Sequence, residues 1–336
     1  MSQSKSLKDF SINELFHEIK KRENPEGTSK EIRIRETNER SFSFVSNKPS
    51  NEGLHSFETG EIIDTLNSKL KAIYEVDNRM DIKDVTNEKI LEVADSVAAL
   101  FTEGSVIDNG DGSSTLKTKK FGNSYNLCST EKFRNQPIGA FCSGFLVAPN
   151  IIATAGHCVT NENISKVRFV FGFRMVDDEN ARTIIKNSEI YKGVKLINRQ
   201  QNSSGSDWSL VQLDRDVTDH KHVQIRRTGK IKNNEPVYVI GHPVGLPTKF
   251  ADGATVQNNE HDAYFVSNLD TYGGNSGSPV FNSRNEVEGV LVRGAEDFVM
   301  NGNCRVSLIC SPASGCKGED CTRTTEFAKD IPIVDM

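Results

Sequence analysis

Ser276 lies in the segment TYGGNSGSPVF, residues 271–281, with three glycines close to it in the chain. Gly273, Gly274 and Gly277 can adopt positive φ angles and leave room for another molecule to approach the backbone. A serine hydroxyl attacks a carbonyl when a base removes its proton and backbone N–H groups stabilise the charge that develops on oxygen. The segment therefore predicts a nucleophilic serine, and it requires a base elsewhere in the chain.

Two other segments supply candidates for that base and for the group that orients it. His157 lies in ATAGHCV, after an apolar run and directly before Cys158. Asp207 opens SDWSLVQLD, whose apolar residues would bury its carboxylate. A buried carboxylate fixes the tautomer of a histidine and stabilises its charged form. The three segments together predict an acyl-transfer site.

The order TAGHC, then DWSL, then GNSGSP resembles that of the chymotrypsin-fold serine peptidases. The bacterial branch that includes the glutamyl endopeptidases is more similar, because its members have GNSGSP where animal enzymes have GDSGGP. The likeness runs from about residue 73 to residue 327. It implies that Ser276 is the nucleophile, His157 the general base and later acid, and Asp207 the orienting carboxylate. It also implies an oxyanion hole formed by the backbone N–H groups of Gly274 and Ser276.

Short β-type runs separated by Gly, Pro and Asn begin after about residue 95 and predict an all-β body. The clearest runs are SVAALF, AFCSGFLVA, NIIATAG, KVRFVFGF, WSLVQL, PVYVIG, AYFVSNL, SPVFN and VEGVLV. The resemblance implies two packed antiparallel six-stranded β-barrels, the first over about residues 95–200 and the second over about 201–327. Together they would form a peptidase domain of residues 73–336.

Residues 1–72 are expected to form a partly helical N-terminal extension. Apolar residues at helical spacing predict one helix over residues 11–22, which opens with a capping box, and a second over residues 62–73. The intervening stretch is rich in Asn, Ser, Glu and Lys, a composition typical of an exposed connector.

The extension is a candidate propeptide. Animal relatives are activated when a new N-terminal ammonium pairs with an Asp just before the nucleophile, but Asn275 occupies that position here. Bacterial relatives with Asn there are often made with a propeptide. We therefore expect residues 1–70 to inhibit the enzyme within the same chain until cleavage between Lys69 and Asp81. A permanent extension that docks to another protein is the alternative.

Substrate preference depends on residues near the nucleophile. Glutamyl endopeptidases bind the substrate acid with a Thr before the nucleophile, matched by Thr271, and with a His on the following strand. No histidine follows His261, and Leu291 lies near the expected place. In trypsin-type enzymes the residue six before the nucleophile forms the base of the specificity pocket, and here it is Asp270. A buried carboxylate there would favour Arg or Lys, unless Asp270 pairs internally with Arg293 on the opposite pocket wall.

Composition narrows the possible partners. The 336-residue chain has a formal net charge of −5 and 36% hydrophobic residues, which is ordinary for a globular protein and gives no basic surface for nucleic acid. No segment has the 18 or more apolar residues of a membrane span, and the N-terminus lacks the apolar region of a secretory signal. The expected partner is a protein or peptide substrate, and no cofactor is expected.

The seven cysteines point to an oxidising compartment. Together with the resemblance they favour a secreted or periplasmic protein, although the chain shows no signal peptide. The resemblance implies a disulfide between Cys142 and Cys158, which in a reducing cytosol would be two buried thiols. The spacing of the other late cysteines lacks the CxxC pairs of zinc sites, so we expect disulfides bracing a terminal loop and no metal. These late cysteines are Cys304, Cys310, Cys316 and Cys321.

Three functions are compatible with the sequence. A serine endopeptidase is favoured because all three motif positions carry the required residue types. A protease fold that has lost activity and serves as a binding module is the first alternative. An acyl hydrolase of another architecture is the second, but GNSGSP is not the G-x-S-x-G turn of that class.

Overall fold

The structure is a computed structural model that describes residues 18, 57, 77–202, 205–271, 273–293, 298–308 and 318–333. Residues 78–308 and 315–336 form one compact unit, and the strands and helices below belong to it. The predicted helices over residues 11–22 and 62–73 lie outside the described residues, apart from Glu18, which is helical.

Short strands dominate this unit. In chain order they are β1 (Met80–Asp81), β2 (Val97–Thr102), β3 (Val106–Asp108), β4 (Ser113–Leu116), β5 (Lys119–Lys120), β6 (Pro137–Ile138), β7 (Cys142–Ala148), β8 (Ile151–Thr154), β9 (Val167–Phe171), β10 (Ile184–Lys186), β11 (Ile190–Gln201), β12 (Asp207–Leu213), β13 (Pro236–Gly241), β14 (Lys249–Asn258), β15 (Tyr264–Ser267), β16 (Pro279–Asn282), β17 (Val287–Arg293), β18 (Phe298–Asn301), β19 (Cys304–Ser307) and β20 (Glu319–Arg323). Two short α-helices in the described residues are α1 (Glu88–Ala94) and α2 (Phe121–Tyr125). None of the described helices is long and apolar enough to cross a membrane.

The first barrel is a closed antiparallel ring of six strands, in the order β11-β12-β8-β7-β2-β9. It closes because β9 pairs with both β2 and β11. Fully buried aromatic residues fill it, including Phe145, Phe169 and Phe171. The barrel extends to Leu213 rather than ending near residue 200, because β12 pairs with β11 on one side and β8 on the other.

The second barrel is formed by β14-β13-β16-β17-β20-β15 and closes through pairing of β14 with β15. Its strands begin at Pro236, later than the expected start near residue 201, and β1 adds to the outer edge of β14. Apolar residues from alternating positions fill the interior, among them Val239, Val256 and Phe265. The predicted all-β fold of two six-stranded barrels is confirmed.

A buried ion pair anchors β1 to the second barrel. Lys249 Nζ lies 2.5 Å from Asp81 Oδ1 and also donates to the carbonyl of Pro247 at 3.0 Å. Gln136 completes the cluster, accepting from Lys249 Nζ at 2.8 Å and donating to Asp81 Oδ2 at 2.8 Å. Burial lowers the pKa of Lys249 to about 8, although Asp81 opposes the shift. The chain is therefore held firmly to the domain from Asp81 onward.

Two of the late cysteines, Cys304 and Cys321, lie in the described residues and do not pair with each other. Cys304 bonds to Cys128 across 176 residues, which ties the β18–β19 hairpin to the segment that follows α2. Cys321 is a free thiol in the core of the second barrel, and burial raises its pKa well above the usual range. Cys310 and Cys316 lie outside the described residues.

Candidate active site

The three candidate catalytic residues come from both barrels. His157 lies in the turn after β8, and Asp207 is the first residue of β12. These two strands are neighbours in the first barrel, where Ser209 pairs with Thr154. Ser276 lies in the loop between β15 and β16 of the second barrel. Strand pairing thus brings the histidine and the aspartate together although they are far apart in the chain.

The side chains of His157 and Asp207 form a directed pair. His157 Nδ1 lies 2.8 Å from Asp207 Oδ2, and the backbone N–H of His157 donates to Oδ1 at 3.1 Å. Since an ionised carboxylate only accepts hydrogen bonds, Nδ1 carries the proton in this contact and Nε2 is left as the basic nitrogen. The Asp207 side chain is 5% exposed and that of His157 is 33% exposed. The carboxylate is therefore shielded while the imidazole can reach a substrate.

Ser276 is held against the turn that carries His157. Its carbonyl accepts the backbone N–H of Ser143 at 2.9 Å and lies 3.7 Å from Cys158 Sγ. Cys158 is disulfide-bonded to Cys142, and a ring nitrogen of His157 lies within 4.8 Å of both sulfurs. Among the described residues no hydrogen bond joins Ser276 Oγ to His157. In unliganded enzymes such contacts are often long and tighten when substrate binds.

Gly277 permits this close approach. It has a φ of 89°, and a Cβ at this position would lie 2.0 Å from the carbonyl oxygen of Ser143 and 2.3 Å from Thr154 Oγ1. No larger residue fits there without displacing the first barrel. Gly277 therefore allows the two barrels to pack closely beside Ser276, in addition to leaving space for a substrate.

The backbone before Ser276 presents two N–H groups. Within the described part of the chain, neither Gly274 N–H nor Ser276 N–H donates a hydrogen bond. Gly274 has a φ of 85°, a conformation that glycine adopts readily. Between them Asn275 is 3% exposed, and its Oδ1 accepts from Ser278 Oγ at 3.2 Å. Asn275 thus faces inward, and the two flanking N–H groups keep their capacity to donate.

The predicted specificity residues lie in the same region. Thr271 Oγ1 donates to Glu319 Oε2 at 2.7 Å, and Glu319 is the first residue of β20. Asp270 is half-buried. Arg293 pairs through its backbone with Asp320, and its side chain lies outside the described residues. The suggested contact between Asp270 and Arg293 stays a prediction.

Sequence reasoning missed two residues at this site. Thr322 accepts a hydrogen bond from the backbone of Asp207, and Val244 donates one to the carbonyl of Gly273. Both contacts join residues that are far apart in the chain. The φ of 48° at Val244 is a property of the folded backbone, and no residue type in HPVG indicated it.

Part of the chain is similar to a known family of proteins. Residues 142–290 match a family model described as a trypsin-like peptidase domain. The matched segment contains every candidate catalytic residue, namely His157, Asp207 and Ser276. Among solved structures, one similar chain is neuropsin, a serine protease expressed in the limbic system of mouse brain. It is 13% identical, covers 71% of this chain and 93% of its own, and gives a TM-score of 0.46.

Proposed function

We propose that this protein is a serine endopeptidase that hydrolyses peptide bonds through an acyl-enzyme on Ser276. The observation that carries the proposal is the shielded Asp207 bonded to His157 Nδ1 at 2.8 Å, next to the turn against which Ser276 is held. This pairing leaves a basic imidazole nitrogen directed away from the carboxylate, as general base catalysis requires.

The reaction proceeds in two halves. His157 Nε2 takes the proton of Ser276 Oγ as the oxygen attacks the scissile carbonyl, and the N–H groups of Gly274 and Ser276 stabilise the resulting oxyanion. Collapse breaks the peptide C–N bond, and His157 gives its proton to the leaving amine. A water molecule then attacks the acyl-enzyme by the same route, which releases the acid and restores Ser276.

We propose a preference for Arg or Lys at the cleaved position. The Thr271 hydroxyl, which an acidic preference would need for the substrate, already donates to Glu319. A carboxylate beside that hydroxyl repels an acidic substrate side chain and attracts a basic one. Asp270, half-buried just before Thr271, adds a second acidic group to the same loop.

We also propose that the protein is made as a zymogen, with residues 1–70 inhibiting the domain. Arg79 and Asp81 are buried, and Asp81 is bonded to Lys249. Activating cleavage is therefore expected before Arg79, within the expected window that begins at Lys69. A permanent extension with a docking role is the alternative.

Mapping of cleavage sites tests the proposal. The full-length chain and its Ser276→Ala variant are incubated with a diverse peptide mixture, and every cut is identified by mass spectrometry. Cuts after Arg or Lys that are absent from the variant support the proposal, whereas cuts after Glu would contradict the basic preference. If neither protein cuts, the assay is repeated after limited proteolysis before Arg79. Continued inactivity would favour a binding module.

A further inference from the structure

Val244 has a backbone conformation that its residue type rarely adopts. It lies in the HPVG turn after β13, with φ 48° and ψ 19°. Left-handed backbone is disfavoured for any residue with a Cβ, and most of all for a β-branched one. A conformation of this kind persists only where the surrounding structure enforces it, and it is often found at functional sites.

Contacts on several sides enforce the turn. The Val244 side chain is buried in an apolar cluster with Phe121, Leu127 and Leu246. Within the turn, Gly245 N–H donates to the carbonyl of His242 at 3.0 Å. The Gly245 carbonyl accepts a backbone hydrogen bond from a neighbouring segment. The direction of the Val244 N–H is therefore set by side-chain packing and by hydrogen bonds of the turn.

That N–H points at the loop of the nucleophile. Val244 N–H donates to the carbonyl of Gly273 at 2.6 Å. Gly274 also packs closely on Val244, since a Cβ on Gly274 would lie 2.9 Å from the Val244 nitrogen. The peptide between Gly273 and Gly274 thus packs directly on the backbone of the HPVG turn.

The direction of the Gly273 carbonyl determines the direction of the next N–H. The described residues contain no cis peptide bonds, and in a trans peptide the C=O and the following N–H point in opposite directions. With its carbonyl on Val244, the peptide directs Gly274 N–H away from the turn. Rotation of the peptide by half a turn would bring two N–H donors together and send the carbonyl the other way. Glycine on both sides makes such rotation easy unless something prevents it.

We propose that Val244 is a positioning residue that keeps Gly274 N–H directed toward the oxyanion formed during catalysis. The inference rests on the proposed acyl-enzyme mechanism at Ser276. The strained turn sets the direction of Val244 N–H, and this donor holds the Gly273 carbonyl in place. The carbonyl in turn sets the direction of Gly274 N–H, which stabilises the transition state. Val244 itself touches no reacting atom.

Backbone substitution in the full-length protein, activated where necessary, tests this role. Replacing Val244 by the matching α-hydroxy acid keeps the side chain and exchanges the N–H for an ester oxygen. The same exchange at Val217 is the matched control, because Val217 is an equally buried valine whose N–H donates to the carbonyl of Pro149 at 2.7 Å, and its loss leaves the HPVG turn intact. We expect kcat to fall about 10- to 100-fold for the Val244 ester, part of the loss typical for an oxyanion donor. KM and the thermal unfolding midpoint should stay close to those of the Val217 ester.

Affinity for a peptide aldehyde supplies a second readout, because its hemiacetal oxyanion occupies the same donors. It should weaken in parallel with kcat, while binding of a product peptide stays unchanged. Val244→Gly, which keeps the N–H but loses the apolar anchor, should give a smaller fall in kcat. Equal loss of kcat in both ester variants, or unchanged kcat in the Val244 ester, would overturn the inference. A wild-type protein that hydrolyses nothing would instead overturn the proposed function, and this inference with it.

Discussion

Thr322 Oγ1 accepts a hydrogen bond from the backbone N–H of Asp207 at 3.0 Å. Thr322 lies in β20 of the second barrel, whereas Asp207 begins β12 of the first. Both residues are buried, so this bond satisfies a polar group that water cannot reach. The barrel that carries Ser276 therefore also helps to hold the carboxylate that orients His157.

Replacing Thr322 with Val removes this acceptor and keeps the side-chain volume. We expect a loss of about 1–3 kcal/mol in the free energy of unfolding, because Asp207 N–H stays buried without a partner. We also expect a lower kcat, because the start of β12 is less firmly held. Thr248→Val is the matched control, since Thr248 is also buried and its hydroxyl donates to the carbonyl of Phe173 at 2.9 Å rather than accepting from Asp207. Urea unfolding of both variants measures the loss of stability, and steady-state kinetics measure kcat. Equal kcat values for the two variants would contradict a role of Thr322 in holding Asp207.

His220 is expected to make stability depend on pH in the alkaline range. Its Nδ1 lies 2.7 Å from Asp95 Oδ2 and its Nε2 lies 2.6 Å from Glu189 Oε2. Burial alone would lower its pKa, but hydrogen bonds to the two carboxylates outweigh burial and raise it to about 9. The same contact with His220 holds the pKa of Glu189 below its usual range.

Because the pKa of His220 is higher in the folded state, its contribution is complete below about pH 6.5 and is lost as the pH rises through about 9. We therefore expect His220→Asn to lower the free energy of unfolding by about 1–2 kcal/mol at pH 6, after allowance for the exposed Asp95 side chain. By pH 10 the difference from wild type should fall to the part that comes from lost packing of the ring on Phe171. Urea unfolding at pH 6, 8 and 10 measures it, with His222→Asn as control. A difference that stays constant over this range would show that the charge of His220 contributes nothing.

The ion pair between Asp81 and Lys249 is expected to tolerate joint replacement better than single replacement. Lys249→Met leaves a buried carboxylate without its cation, which typically costs about 3–5 kcal/mol. Adding Asp81→Asn should recover most of that loss, because Asn keeps its contact with Gln136 and carries no charge. Lys83→Met is the control, since Lys83 pairs with exposed carboxylates and its loss should change stability far less. Chemical unfolding of the wild type, Lys249→Met, the double variant and Lys83→Met measures these differences in stability. A double variant less stable than Lys249→Met would contradict the expectation that joint replacement is better tolerated.

The features that could be predicted from the sequence are those that depend on residues close together in the chain. Apolar runs such as SVAALF and PVYVIG became β2 and β13, because most of their side chains face a core. In contrast β20, EDCTR, has no apolar run, yet Thr322 and Arg323 are buried through pairing with β15 and β17. Its existence depends on neighbours distant in the chain.

The same distinction applies to the site. The residue types at His157, Asp207 and Ser276 are visible in their motifs, since the chemistry itself requires them. The residues that support them could not be found in this way. Val244 N–H and the Thr322 hydroxyl have a role only because folding brings them to Gly273 and Asp207, which are distant in the chain. The sequence also predicts too early a boundary between the two barrels, for a related reason. Asp207 is separated from β11 by a loop, and only pairing with β8 and β11 assigns β12 to the first barrel.

Covalent labelling tests the central claim most directly. A fluorophosphonate reacts with a serine whose proton is removed by a neighbouring base, and the adduct can be located by intact mass and peptide mapping. We expect one adduct, on Ser276, formed by the wild-type protein after any activation that it requires. The adduct should be lost in Ser276→Ala and His157→Ala, and should form far more slowly in Asp207→Asn. Absence of an adduct in the activated protein, or an adduct on a different serine, would contradict the assignment of Ser276 as the nucleophile.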